Sequence, residues 1–399
     1  MGIIRFTSEQ LNDESTGIEV HPSGKGSIYL ASIVLLMVLF GLAMLYSTSA
    51  GALGVKLFVK QLAWAVLGIF CAAAIYSVGY KKLLEYSIYF LVATAILLII
   101  ARLNRSINGS HRWIRVGSFS IQPSEFAKLA LIMFIAQFCV VNQKALNKIK
   151  EGIIPLVCVC GMTTGLVLLG KDLGTTVLIL GTCFFMLFVA GLRMRYLAPG
   201  VMLGIPSIIF FLKKFDPERW SRIITFLDPE VYCRDDGYQL WMSLLALGSG
   251  SWTGLGFTQS RMKGMYLPEA NTDFILSIAG EELGYLAMIA VVLAYLIFLV
   301  VAVAISIRAA DRQGMLLGFG IATMITLQGA INMGVISGAL PTKGIPAPFI
   351  SYGGSNLLVS LCCAGFLLSI AAGRKPLDYE NNREPFRPGS ISLKGGQIG

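Results

Sequence analysis

Residues 27–47, SIYLASIVLLMVLFGLAMLYS, carry no charged side chain, and runs of this kind recur along the chain. About 20 apolar residues in a helix cross the hydrocarbon core of a bilayer. Only a helix or a closed barrel satisfies its backbone polar groups there. Further apolar segments fall at 62–78, 84–101, 126–141, 153–169, 173–191, 196–212, 274–307, 315–336 and 357–372. Their lengths suit helices rather than the short alternating strands of a barrel. The expected fold is an all-α integral membrane protein with about ten transmembrane helices and one large extracytoplasmic loop at about 213–272. Composition agrees: 55% of the 399 residues are hydrophobic and 14% are charged, against about 25% charged in soluble domains.

Two polar stretches flank the membrane domain of residues 27–372. Residues 1–26 mix Ser, Gly and charges, and residues 373–399 are rich in Pro, Gly and Asn. Both read as disordered tails. The positive-inside rule puts both termini in the cytoplasm. In that orientation the inner loops hold Lys81, Lys82, Lys144, Lys148, Lys150, Arg193, Arg195, Arg308 and Arg312, and the C-terminal tail adds Arg374 and Lys375. The outer loop at 102–125 is unusually basic for its side, with Arg102, Arg105, Arg112 and Arg115. A phosphate-bearing ligand at the outer surface would account for that, because guanidinium pairs with phosphate in a bidentate way. The net charge of +10 points to membrane lipids or an anionic substrate. Aromatic-interleaved basic patches are absent, so no nucleic-acid partner is expected.

Several chemistries are excluded. Gly24-Lys25-Gly26 lacks the Ser or Thr and the first glycine of a phosphate loop, so no nucleotide is expected. His21 and His111 are the only histidines, which rules out a multi-histidine metal centre. Seven of the eight cysteines lie inside apolar segments and read as small core residues.

The stretch RMKGMYLPEANTDFILSIAGEELGY, residues 261–285, sets Arg261, Lys263, Glu269, Asp273, Glu281 and Glu282 in an otherwise mostly apolar protein. Residues 272–307 would make a helix of roughly 54 Å, longer than a bilayer core needs. The turns around Asp273 therefore belong to a water-facing mouth or a dip into the membrane. Asp273 is a candidate general base. The alternative is helix capping, since Asn271 and Thr272 are good cap residues and an acid suits the first turn. The dipole would lower its pKa and desolvation would raise it.

Arg112 and Trp113 precede Gln122-Pro123-Ser124-Glu125. Trp113 can anchor the interface or cover a sugar or headgroup. Pro123 marks a helix start, with Glu125 and Lys128 at i,i+3, a pair more often structural than catalytic. Lys171-Asp172 interrupts two apolar spans, as an ion pair or as a contact to substrate or metal. The stretch LPTKGIPAPFISYGGS, residues 340–355, holds three prolines and cannot be regular helix. Such backbone near a membrane lines a cavity or is buried by protein, and Lys343 is its one charge.

The motifs NGSHRWI with IQPSEFAKL, DLGTT, LPEANTDFILSIAGEELG and LPTKGIPAPFISYGGS together resemble the SEDS family of bacterial cell-wall polymerases, over residues 27–372. LPEA-TDF with GEELG and LPTKG looks more like its division branch than its elongation branch. The resemblance implies a ten-span helical fold and polymerisation of lipid II at the outer face of the inner membrane, with release of undecaprenyl pyrophosphate. It also implies a class B penicillin-binding transpeptidase and other divisome membrane proteins as partners. By matching position it implies catalysis by Asp273, with Lys343 and Trp113 functional. Arg112, Lys128, Glu125, Asp172 and Thr272 join them as candidate substrate-binding residues. A divalent cation, Mg²⁺ or Mn²⁺, could assist. Asn271 stands where the family usually has His. Gly170-Lys171 stand where it usually has Gln-Pro, which favours a Lys171–Asp172 ion pair. The competing classes are a lipid II flippase, whose ionisable groups would sit near the midplane, and a non-catalytic division scaffold.

Overall fold

The computed structural model describes residues 25–49, 55–104, 112–116, 119–215, 220–221, 224–226, 228–235, 237–263 and 266–373. The two tails, Arg105 and His111 lie outside the described residues.

Each of the ten apolar segments coincides with a helix. They are α1 (Lys25–Ser49), α2 (Lys56–Val78), α4 (Ser87–Leu103), α5 (Pro123–Val141), α6 (Ile154–Leu169), α7 (Leu173–Val189), α8 (Met194–Phe215), α10 (Ile275–Ile307), α11 (Arg312–Ile336) and α12 (Gly354–Ala372). A short α3 (Tyr80–Glu85) links α2 to α4, and α9 (Tyr238–Ser249) precedes α10. Seven of the described helices are long and apolar enough to cross a membrane. The count of ten is not met on that criterion. α4 and α7 are shorter apolar helices of 17 residues, and α8 carries Pro199 and Pro206 within it. Windows of α5 and α12 are 83% buried, against 17% for α2. The bundle therefore wraps two central helices in peripheral ones whose exposed apolar faces, with Phe70 and Val300 among them, suit lipid contact.

Polar loops segregate to two ends. At one end, Asp311 caps α11 through Gly314 N and takes Tyr80 Oη at 2.9 Å and Lys81 Nζ at 3.1 Å. At the same end Arg312 donates to the Ala190 carbonyl. At the other end lie the loops around residues 112–122, 170–172, 256–274 and 337–353. There a small hairpin of β1 (Ile114–Val116) and β2 (Phe119–Ile121) pairs Ile114 with Ile121.

Two sequence expectations change here. The region at 213–272 is not only loop. α9 folds back onto the bundle, where Ser243 Oγ lies 2.7 Å from Ser277 Oγ and donates to the Ile336 carbonyl. Nor is 272–307 one continuous helix. α10 starts at Ile275 and breaks at Gly284, with φ 76° and ψ −174°. The segment at 251–256 fills the break: Tyr285 N donates to Ser251 O, and Leu255 and Gly256 N donate to Glu281 and Glu282 O. A Cβ on Gly284 would lie 2.4 Å from Gly254 N. Glycine is required for both its dihedrals and the close approach.

Candidate active site

Segments far apart in sequence meet at the second end. The 341–347 stretch has no helix or strand, as its prolines dictate. It runs between Asp273 and Arg112: a Cβ on Gly344 would lie 2.7 Å from Asp273 Oδ2 and 3.9 Å from Arg112 Nη2. On its other flank is the first turn of α7, where a Cβ on Gly174 would lie 3.8 Å from Lys343 Cβ. Arg112, Asp172, Asp273 and Lys343 thus converge around one short irregular strand of chain.

Asp172 is almost fully satisfied. It caps α7 through Thr175 N. Its Oδ2 accepts from Gln122 Nε2 at 2.9 Å and from Ser124 Oγ at 3.1 Å. The cation set against it is Arg112, 3.8 Å away. Lys171, beside it in sequence, adopts a left-handed backbone with φ 62° and is exposed. The hairpin accounts for this cluster. It returns the chain so that Arg112 and Gln122 reach the same carboxylate, and Ser355 Oγ of α12 accepts from Gln122 N to hold it.

Asp273 is different. Neither it nor Asn271 or Thr272 caps α10: the cap position is Phe274, without a side-chain bond. Thr272 Oγ1 instead donates to Glu269 Oε2 at 2.9 Å. The Asp273 carboxylate is half-buried and has no hydrogen-bond partner among the described residues. Burial pushes its pKa up to about 7, Glu269 and Asp172 add to the rise, and Arg112 opposes it. Desolvation therefore outweighs the helix dipole.

Trp113 is half-buried, next to Arg112 at the entry to β1. Glu125 and Lys128 form an ion pair of 2.7 Å deep in the bundle. Lys128 also donates to Gln328 Oε1, and Asn356 donates to Glu125 Oε2. These two lie in the wall beneath the site, whereas Arg112, Asp172, Asp273 and Lys343 bound it. Arg102 and Arg115 are exposed.

The GEELG acids serve the scaffold. Glu282 accepts from Ser47 Oγ of α1, Thr258 N, Ser260 N and Lys263 Nζ, the last at 2.9 Å. Glu281 accepts from Ser260 Oγ, Arg261 N and Met262 N. The two buried carboxylates thereby order the loop that leads to Asp273. Gln328 and Asn332 also contribute, and neither was singled out from the sequence. The signal was available, since polar amides inside a membrane-length apolar helix are costly and mark function or packing.

A many-helix membrane protein with acids and arginine converging at one end of its bundle is the class defined by this fold. The chain belongs to the FtsW, RodA and SpoVE family of cell cycle proteins, which it matches over residues 28–376. It is 36% identical to a probable peptidoglycan glycosyltransferase FtsW of Geobacter metallireducens over 86% of this chain and 95% of that one. It is 37% identical to the stage V sporulation protein E of Bacillus subtilis, over 86% and 96%. Its fold is similar to a chain of a peptidoglycan synthase complex, in a structure described as coordinating polymerisation and crosslinking, with TM-score 0.73 and 24% identity over 88% and 98%. It is similar also to the rod shape determining protein RodA of Thermus thermophilus, with TM-score 0.67 and 24% identity over 89% and 98%.

Proposed function

We propose that this chain is a peptidoglycan glycosyltransferase that polymerises lipid II at the outer face of the cytoplasmic membrane during cell division. The observation that carries the reading is Asp273, a carboxylate with no hydrogen-bond donor among the described residues and a pKa near 7, beside Arg112 and the Lys343 segment. A general base works best with a pKa near the operating pH. Asp273 accepts the proton of the acceptor sugar hydroxyl as that oxygen bonds to the donor's anomeric carbon. The bond from that carbon to phosphate breaks, and undecaprenyl pyrophosphate leaves with the electron pair. Arg112 and Lys343 stabilise its charge. Pyrophosphate departs without a general acid, so one base suffices. Trp113, next to Arg112, covers the sugar or headgroup.

A divalent cation fits the site in one way. Asp172 is occupied by its donors and Asp273 is the base, so the neighbouring Glu269 would be the carboxylate that holds Mg²⁺ together with substrate phosphates. Such an ion would neutralise charge on the pyrophosphate. The ionisable groups gathered at one end favour this reading over a flippase, whose sites lie near the midplane. The termini are cytoplasmic, the site faces outward at the septum, and a class B penicillin-binding transpeptidase and divisome proteins are the partners.

The test is labelled lipid II with the purified protein, with and without its transpeptidase, comparing wild type and Asp273→Ala. Polymer from the wild type alone is expected. Equal polymer from both removes Asp273 as base. None from the wild type with partner and cation present overturns the enzyme reading and calls for a lipid-flipping assay in vesicles.

A further inference from the structure

Asn332 lies in α11, is 1% exposed, and stands in an otherwise largely apolar membrane-length helix. Its single amide nitrogen donates twice, at 2.8 Å to the backbone carbonyl of Asp273 and at 2.8 Å to that of Ile345. Its Oδ1 is buried with no partner among the described residues. The amide cannot be turned over, because Oδ1 would then face two carbonyl oxygens. Leaving an acceptor buried and unmet costs stability, so the donors are what this position supplies. One turn earlier, Gln328 Nε2 donates to the Pro346 carbonyl at 2.8 Å. Residues at i and i+4 share a helix face, and here they grip successive carbonyls of an irregular segment that cannot satisfy them itself.

We propose that Asn332 is a positioning residue for glycosyl transfer. By holding the Asp273 and Ile345 carbonyls on one nitrogen, it sets the spacing between the Asp273 carboxylate and the Lys343–Gly344 side of the cleft. The inference rests on the glycosyltransferase reading above. Aspartate at this position has the same shape, but when ionised it presents only acceptors to the two carbonyls. Serine keeps one donor where asparagine has two.

Wild type, Asp273→Ala, Asn332→Asp and Asn332→Ser are purified and assayed with labelled lipid II, measuring kcat per folded molecule, KM and melting temperature. Asn332→Asp is expected to lose about 10- to 100-fold in kcat, the scale of a small misplacement of a reacting group, with KM changed by less than about threefold. Asn332→Ser falls between it and the wild type, and it carries the test alone should Asn332→Asp fail to fold. A purely structural role would lower the folded yield or melting temperature and leave kcat per folded molecule at the wild-type value; that result overturns the inference, as does a loss confined to KM. Product from wild type and none from Asp273→Ala keeps the enzyme reading separate from these outcomes. With the transpeptidase and a divalent cation present in every assay, no product from the wild type overturns that reading and the inference with it.

Discussion

Asp273 and Glu282 lie two to three helical turns apart in one motif, yet their surroundings are opposite. Glu282 accepts from two backbone N–H groups, a serine hydroxyl and a lysine. Asp273 has no such donor among the described residues, and burial raises its pKa to about 7. The difference separates an acid that fixes structure from one free to take a proton. Asp172 sides with Glu282, with three hydrogen-bond donors and Arg112 filling its oxygens. An acid's role follows from the donors around it rather than from its neighbours in sequence.

The same chemical change at both positions sharpens this contrast. Asp273→Asn should lower polymerisation by about 10²- to 10⁴-fold, the span of general-base contributions, with the melting temperature moved by little. A variant that keeps activity would break the comparison. Glu282→Gln should act the other way. It leaves Lys263 without its counter-ion in a buried site, and losing one partner of a buried pair costs about 3 kcal/mol or more. Thermal unfolding in detergent should show that loss, while the folded fraction keeps much of its kcat. Unchanged stability would mean that the Ser47–Lys263–Glu282 tie is dispensable. Asp172→Asn is the intermediate case. Thr175 keeps a cap acceptor, since Asn caps as well as Asp, but Arg112 loses this counter-charge, so a loss of up to about 1 kcal/mol in stability is expected, together with a several-fold drop in activity. Activity falling as far as in Asp273→Asn would place Asp172 in the chemistry itself.

Much of the bundle was legible in the sequence, because apolar length alone locates helices in a membrane. All ten segments recur as helices, and Pro123 starts α5 as read. The irregular character of 340–353 was equally legible, since its prolines forbid a helix. What was not legible depends on close approach. The break at Gly284 looks like any glycine in an apolar run until Gly254 is packed against it. The approach of Arg112 and Gln122 to one carboxylate of Asp172 needs the β1–β2 hairpin to bring the two ends of that loop together. α9 was missed because it is short and flanked by polar turns. Asp273 stood out in the sequence as a candidate base, but its raised pKa depends on burial and on Glu269 beside it, which spacing cannot supply.

The central claim is that Asp273 acts as a base from a raised pKa. Its base form is lost as pH falls through that value, so the polymerisation rate should decline below an apparent pKa near 7. Glu269 raises this pKa, so Glu269→Gln should lower it and move the acidic limb of the rate profile to lower pH. The deciding measurement is kcat of wild type and Glu269→Gln from pH 5.5 to 8.5 on labelled lipid II. A limb near pH 7 that shifts downward in the variant is the result predicted. A flat wild-type profile, or a limb that Glu269→Gln does not move, would contradict the account.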